Sequence, residues 1–129
     1  MTTSIKRSDL SHRLQSICDF HQAETIVWDC YCDHALIGRY LVTKNEVEQV
    51  LCVDQVPEII HQHQVNTYIP SGLILLNSKT ENIQIEKKHL KNLIIMAGVG
   101  GDEIIKGLRG IHHHNRDLSN CHFVLSPHK

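Results

Sequence analysis

No apolar run in the 129-residue sequence approaches the length of a membrane span. The longest, 72–76 and 93–99, are strand-sized, against about 20 residues for a spanning helix. The polar stretch 1–8 leads into no apolar h-region, so no secretory signal is expected. An excess of either charge is lacking too. Thirteen Lys and Arg face 14 Asp and Glu, a formal net charge of −1, so the chain as a whole is not a polycation built to coat nucleic acid. Internal repeats, low-complexity linkers and composition breaks are all missing, which leaves one domain over 1–129. Hydrophobic residues at 41% and charged residues at 21% exclude a disordered chain.

Five cysteines, an odd number, stand at 18, 30, 32, 52 and 121, several inside apolar strand-like runs. Buried free thiols in a reducing cytosol explain them more simply than a disulfide framework, and a cytoplasmic location is expected. Eleven histidines are unusual. His61-x-His63, His112-His113-His114, Cys30-x-Cys32 and Asp33-His34 offer metal-ligand types. None has C-x-x-C or H-x-x-x-H spacing, and the triplet reads as part of a polar loop, so no specific metal site is expected.

Helix-like and strand-like segments alternate. Leu10, Leu14, Ile17 and Cys18 at helical spacing predict a helix over 8–20 behind a Ser8-Asp9 cap. A cofactor-binding core over 25–126 follows. Strands are expected at 25–30, 49–53, 73–76, 93–97 and 121–125, the last halted by Pro127. Helices are expected at 34–43, at 56–65 with Pro57 in the first turn, and from Asp102 to about His113. The polar, lysine-rich stretch 78–92 reads as a short surface helix and loop. Strands separated by helices imply βαβ units and an α/β fold with a mostly parallel sheet.

In such sheets ligands bind beyond the carboxyl ends of the strands, where strand order reverses. There the sequence collects Asp29-Cys30-Tyr31-Cys32-Asp33-His34, Asp54-Gln55, Asn77 and Ala97-Gly98-Val99-Gly100-Gly101. No glycine follows the first strand and no Walker lysine is present, which disfavours a nicotinamide dehydrogenase and a P-loop enzyme. An acid closing the second strand suits the two hydroxyls of a ribose. Acids at the first strand suit a cation rather than a pyrophosphate. S-adenosylmethionine, with ribose, ammonium and sulfonium, fits both demands. Other readings stand beside these. Asp29 can cap the following turn, Asp54 can cap the next helix, the glycines can form only a tight turn, and Asn77 can be a surface turn residue.

Together these segments resemble a known family. Leu10-Ser11-His12-Arg13-Leu14, Trp28-Asp29-Cys30-Tyr31-Cys32-Asp33-His34-Ala35, Val53-Asp54 and Ile95-Met96-Ala97-Gly98-Val99-Gly100-Gly101 are similar to the corresponding segments of bacterial tRNA adenine-N1-methyltransferases of the TrmK type. The resemblance implies a Rossmann-like class I methyltransferase sheet of order 3-2-1-4-5, S-adenosyl-L-methionine as cofactor and tRNA as partner. A homo-oligomer is left open. It places Asp29 and Asp33 at the methionine part of the cofactor and Asp54 at the ribose, with Cys30, Tyr31, His34 and Gln55 also among the cofactor-binding residues. Asn77 falls at the adenine, and Ala97 to Gly101 along the methyl-transfer channel. Asp33 is the candidate catalytic carboxylate. Tyr31 departs from the pattern, standing where many members carry glycine. The resemblance also implies further C-terminal strands that the chain lacks, and hence a shortened methyltransferase or a module that binds without catalysis.

Overall fold

The computed structural model describes residues 25–32, 36–43, 47, 49–66, 69 and 71–128, together with 12, 15 and 16. Of the predicted first helix only His12, Gln15 and Ser16 are described, all helical. Asp33 and His34 lie outside the described residues.

The elements run β1 (Thr25–Cys30), α1 (Leu36–Thr43), β2 (Gln49–Asp54), α2 (Pro57–Asn66) and β3 (Leu73–Asn77). A single 3-10 turn (Thr80–Asn82) follows, then β4 (Lys91–Gly100), α3 (Gly101–His114) and β5 (Cys121–His128). The five strands form one sheet of order β3-β2-β1-β4-β5. Every pairing is parallel. That is the expected order. β1 sits at the centre because all six of its residues, TIVWDC, are buried, as both faces of a parallel sheet require.

Strand periodicity divides the core in two. On one face Val27, Val50, Cys52, Leu93 and Ile95 pack with Tyr40 and Leu41 of α1. On the other, Ile26, Trp28, Val53, Ile94 and Met96 pack with Ile104 and Ile111 of α3. Burying each of the two α3 isoleucines is worth about 1.5–3 kcal/mol.

Three expectations need correction. The stretch 78–92 forms no α-helix: beyond its 3-10 turn it runs extended, and Ile83 and Ile85 are buried on the α3 face of the sheet. Asn115 supplies what a helix would have supplied. Its Nδ2 donates to the Ile83 and Ile111 carbonyls, both at 2.8 Å, and its Oδ1 accepts from the Ile85 N–H at 2.7 Å. β4 is longer than the apolar run 93–97. Asn92 enters the core because the Trp28 indole N–H donates to its Oδ1 at 2.9 Å, while its Nδ2 donates to the Lys87 and Leu90 carbonyls. Pro127 does not halt β5, which continues to His128. β5 is an edge strand, where a missing N–H is tolerated.

The histidine triplet also differs from its expected loop. His112, His113 and His114 form the exposed last turn of α3. Among the described residues no helix is long and apolar enough to cross a membrane, and no group of His, Cys, Asp and Glu is placed to hold a metal ion.

Candidate functional site

Parallel register brings the carboxyl ends of the strands to one edge. Asp54 lies opposite Asn77, and Cys30 lies between Val53 and Met96. Immediately beyond them is a cleft of about 280 Å³. β1 contributes Tyr31, the end of β2 contributes Asp54 and Gln55, and the end of β4 contributes Gly98 and Val99. Thr80 and Glu81 of the 3-10 turn and Glu103 of α3 close it.

Asp54 does two jobs. Its Oδ1 accepts the Val56 N–H at 2.9 Å, which caps the turn into α2. The residue also lines the cleft. The helix-capping and ligand-binding readings of this residue are therefore compatible. The Asp54 carbonyl accepts the Asn77 Nδ2 and the Ser78 N–H, both at 3.0 Å. Asn77 thus pins the ends of β2 and β3 together, and it does not line the cleft. Its expected contact with an adenine lacks that support.

Cys30 and Ala97 are turned into the core instead. Cys30 is 1% exposed beside Ile26 and Trp28, and Ala97 packs on the opposite face. Burial pushes the Cys30 thiol up, so it stays neutral. Strand parity explains this: residue 30 shares the face of 26 and 28. Only the main chain of these two residues can approach a ligand. Asp29 is likewise buried, at 5% exposure, and interacts within the chain. A hydrogen bond from the Cys52 thiol to Cys32, burial and the Asp29 charge keep Cys52 protonated.

The glycines are informative. Gly98 has φ +86, in the region that glycine adopts without steric cost, at a register irregularity between Ala97 and Gly100. Gly100 and Gly101 have ordinary backbone, and a Cβ at either would meet no atom within 4 Å. The chain's own packing does not demand glycine there. A second feature is charge. Asp54, Glu81 and Glu103 make the cleft acidic. Such a lining fits a ligand carrying ammonium and sulfonium groups and repels a pyrophosphate. S-adenosylmethionine therefore fits the residues present.

Tyr31 has φ 58 and crosses from β1 toward α3, where its hydroxyl donates to the Glu103 carbonyl at 3.0 Å. Burial raises its pKa to about 12, so the phenol remains a donor at neutral pH. Thr80, itself buried, hydrogen-bonds the Cys30 and Tyr31 side chains. Sequence reasoning missed Thr80, Glu81 and Glu103. Thr80 and Glu103 stand three and two residues beyond the ends of β3 and the glycine turn, so the strand-end rule applied a little further along the chain would have reached them.

Comparisons with known proteins agree with this geometry. The family model described as "Methyltransferase domain" matches residues 10–129. No curated protein matches the chain by sequence. Solved structures do match. A Streptococcus pneumoniae protein described as a candidate tRNA (m1A22) methyltransferase superposes with a TM-score of 0.72 at 20% identity, covering 92% of this chain and 53% of its own. Its complex with S-adenosyl-L-methionine gives 0.67 at 21% identity, over 92% and 55%. M. capricolum TrmK, bound to S-adenosyl-homocysteine, gives 0.66 at 17% identity, over 90% and 51%. At these identities the likeness establishes the Rossmann-like methyltransferase fold. The chain spans about half the length of these structures.

Proposed function

The chain belongs to the methyltransferase-domain family, and from that premise we propose that it binds S-adenosylmethionine in the acidic cleft and methylates N1 of an adenine in tRNA. The observation that carries the proposal is the cleft itself. Asp54, Glu81 and Glu103 line it together with Gly98 and Val99 at the switch edge of the sheet. The S-adenosyl ligands bound to two of the similar structures, and the tRNA methyltransferase description of the Streptococcus pneumoniae protein, support the same reading.

When bound, S-adenosylmethionine supplies an electrophilic methyl group. Asp54 would hold the ribose hydroxyls. Asp29, at the end of β1, would stand on the side of the methionine part, and Gly98 to Gly101 would leave room for cofactor and base to approach. Adenine N1 already carries a lone pair, so the site needs no strong base to create the nucleophile. Methylation places positive charge on the ring. A carboxylate then stabilises it or accepts an N6 proton, the role we assign to Asp33. Holding the base in line with the methyl supplies most of the rate. The base must first leave its stack, at a cost of a few kcal/mol.

The test is methyl transfer from labelled cofactor to bulk tRNA, followed by nucleoside analysis. Label is expected on N1 of adenine. Label on another base overturns the substrate assignment, and cofactor binding without any transfer marks a binding module. Asp54→Asn removes the charge that holds the ribose. A charged hydrogen bond is worth about 1.5–3 kcal/mol, so cofactor affinity is expected to fall by roughly 10- to 100-fold. An unchanged affinity would exclude Asp54 from the site.

A further inference from the structure

Tyr31 is the one non-glycine residue with a positive φ among the described residues. A bulky side chain is disfavoured in that conformation, which glycine adopts freely. The position nonetheless holds a tyrosine, and the surrounding structure is shaped to keep it there. Its hydroxyl is tied to the Glu103 carbonyl, 72 residues away in sequence. Beneath the hydroxyl lies Gly107 of α3, where a Cβ would stand 2.8 Å from the phenolic oxygen, 3.2 Å from Thr80 Cγ2 and in collision with Met96 Cε. Gly107 is therefore the floor of a socket for the tyrosine. The ring lies between this socket and the cleft, whose lining it shares with Gly98 and Val99.

We propose that Tyr31 is a specificity-determining residue, a fixed wall that limits how large a group the cleft accepts on the sulfur of an S-adenosyl ligand. The inference rests on the cofactor reading above. In that reading the transferred group leaves toward the end of β4, the side on which Tyr31 stands with Gly98 and Val99. The wall admits a methyl group and excludes bulkier substituents. Because the ring is anchored at Glu103 and seated on Gly107, it cannot swing aside without breaking the hydrogen bond and leaving the socket.

The test measures binding by calorimetry with two probes, S-adenosylhomocysteine and an S-adenosyl analogue carrying a benzyl group on sulfur. Wild type is expected to prefer the first by at least about tenfold, the lower end of what steric exclusion in a pocket delivers. Tyr31→Phe keeps the ring but removes its hydrogen bond to Glu103, and is expected to weaken that preference without abolishing it. Tyr31→Gly removes the wall and is expected to bind both probes alike. Tyr31→Asn is the second small variant, since asparagine tolerates the left-handed conformation, and circular dichroism verifies the fold of each. Both small variants keeping the wild-type preference overturns the inference while the cofactor reading stands. Failure of folded wild type and all folded variants to bind S-adenosylhomocysteine overturns the cofactor reading and the inference with it.

Discussion

Asn115 is the residue whose removal tests the architecture most directly. It is 4% exposed, and it joins the end of α3 to the extended segment that passes beneath it. Asn115→Ala deletes three hydrogen bonds of 2.7–2.8 Å. At about 1 kcal/mol net for each bond the loss is about 3 kcal/mol. Two of the abandoned partners, the Ile83 carbonyl and the Ile85 N–H, belong to residues only 2% and 3% exposed. Water cannot readily replace the asparagine there, and an unsatisfied buried group adds about 1–3 kcal/mol. A total of about 4–6 kcal/mol follows. For a chain of this size that lowers the melting temperature by about 12–18 °C, at about 3 °C per kcal/mol. Thermal unfolding followed by far-ultraviolet circular dichroism reads the shift. Asn120→Ala is the control, because the exposed Asn120 makes one comparable bond, Nδ2 to the Lys88 carbonyl at 2.8 Å. If Asn115→Ala costs less than about 1 kcal/mol, or no more than the control, the segment is not held as described.

Two other perturbations have signs that the structure decides. Gly110→Ala gains about 1 kcal/mol of helix propensity, but the new Cβ runs into the backbone of Glu81, with Cα 2.6 Å away. Backbone cannot give as a flexible side chain does, so overpacking of about 1–3 kcal/mol prevails; a melting temperature above wild type would show the helix standing off the 3-10 turn. Ser119 hydrogen-bonds Asp117 through its hydroxyl at 2.6 Å and its N–H at 3.0 Å, and these hold the carboxyl below its usual value. A depressed carboxylate stabilises the fold above its unfolded pKa, and that contribution is lost as pH falls through the folded value. Ser119→Ala should raise the Asp117 pKa and reduce stability at neutral pH but not in strong acid. An NMR titration with an unmoved Asp117 would contradict the assignment.

Much of the sheet was legible because its strands are short apolar blocks separated by polar helices. β1, β2 and β3 fall where the pattern placed them, to within one residue. The β3-to-β4 crossover was not legible. Its composition is polar, yet Ile83 and Ile85 alternate as a buried extended segment does. That alternation is two residues long, too short to outweigh the lysines around it. Asn92 and Asn115 were also opaque. A buried amide depends on partners far away in sequence, here Trp28 and Ile83, which no local pattern reports. The rule that ligands gather at strand ends included three residues that line the cleft, Asp54, Tyr31 and Gly98. It did not separate side chains that line the cleft from those that face the core, and so it included Cys30 and Ala97. Glu103 and Thr80 stand two and three residues past the glycine turn and the end of β3, just outside the positions that rule covers.

The hydrogen bond between Trp28 and Asn92 makes the protein optically self-reporting. Trp28 is the only tryptophan in the sequence, it is 5% exposed, and its indole N–H is already engaged. Its emission therefore comes from a single, nearly water-free place in the central strand, three residues before Tyr31. The folded chain carries one tryptophan fluorophore with one environment, and the loss of that environment on unfolding is a red shift that no second tryptophan can blur.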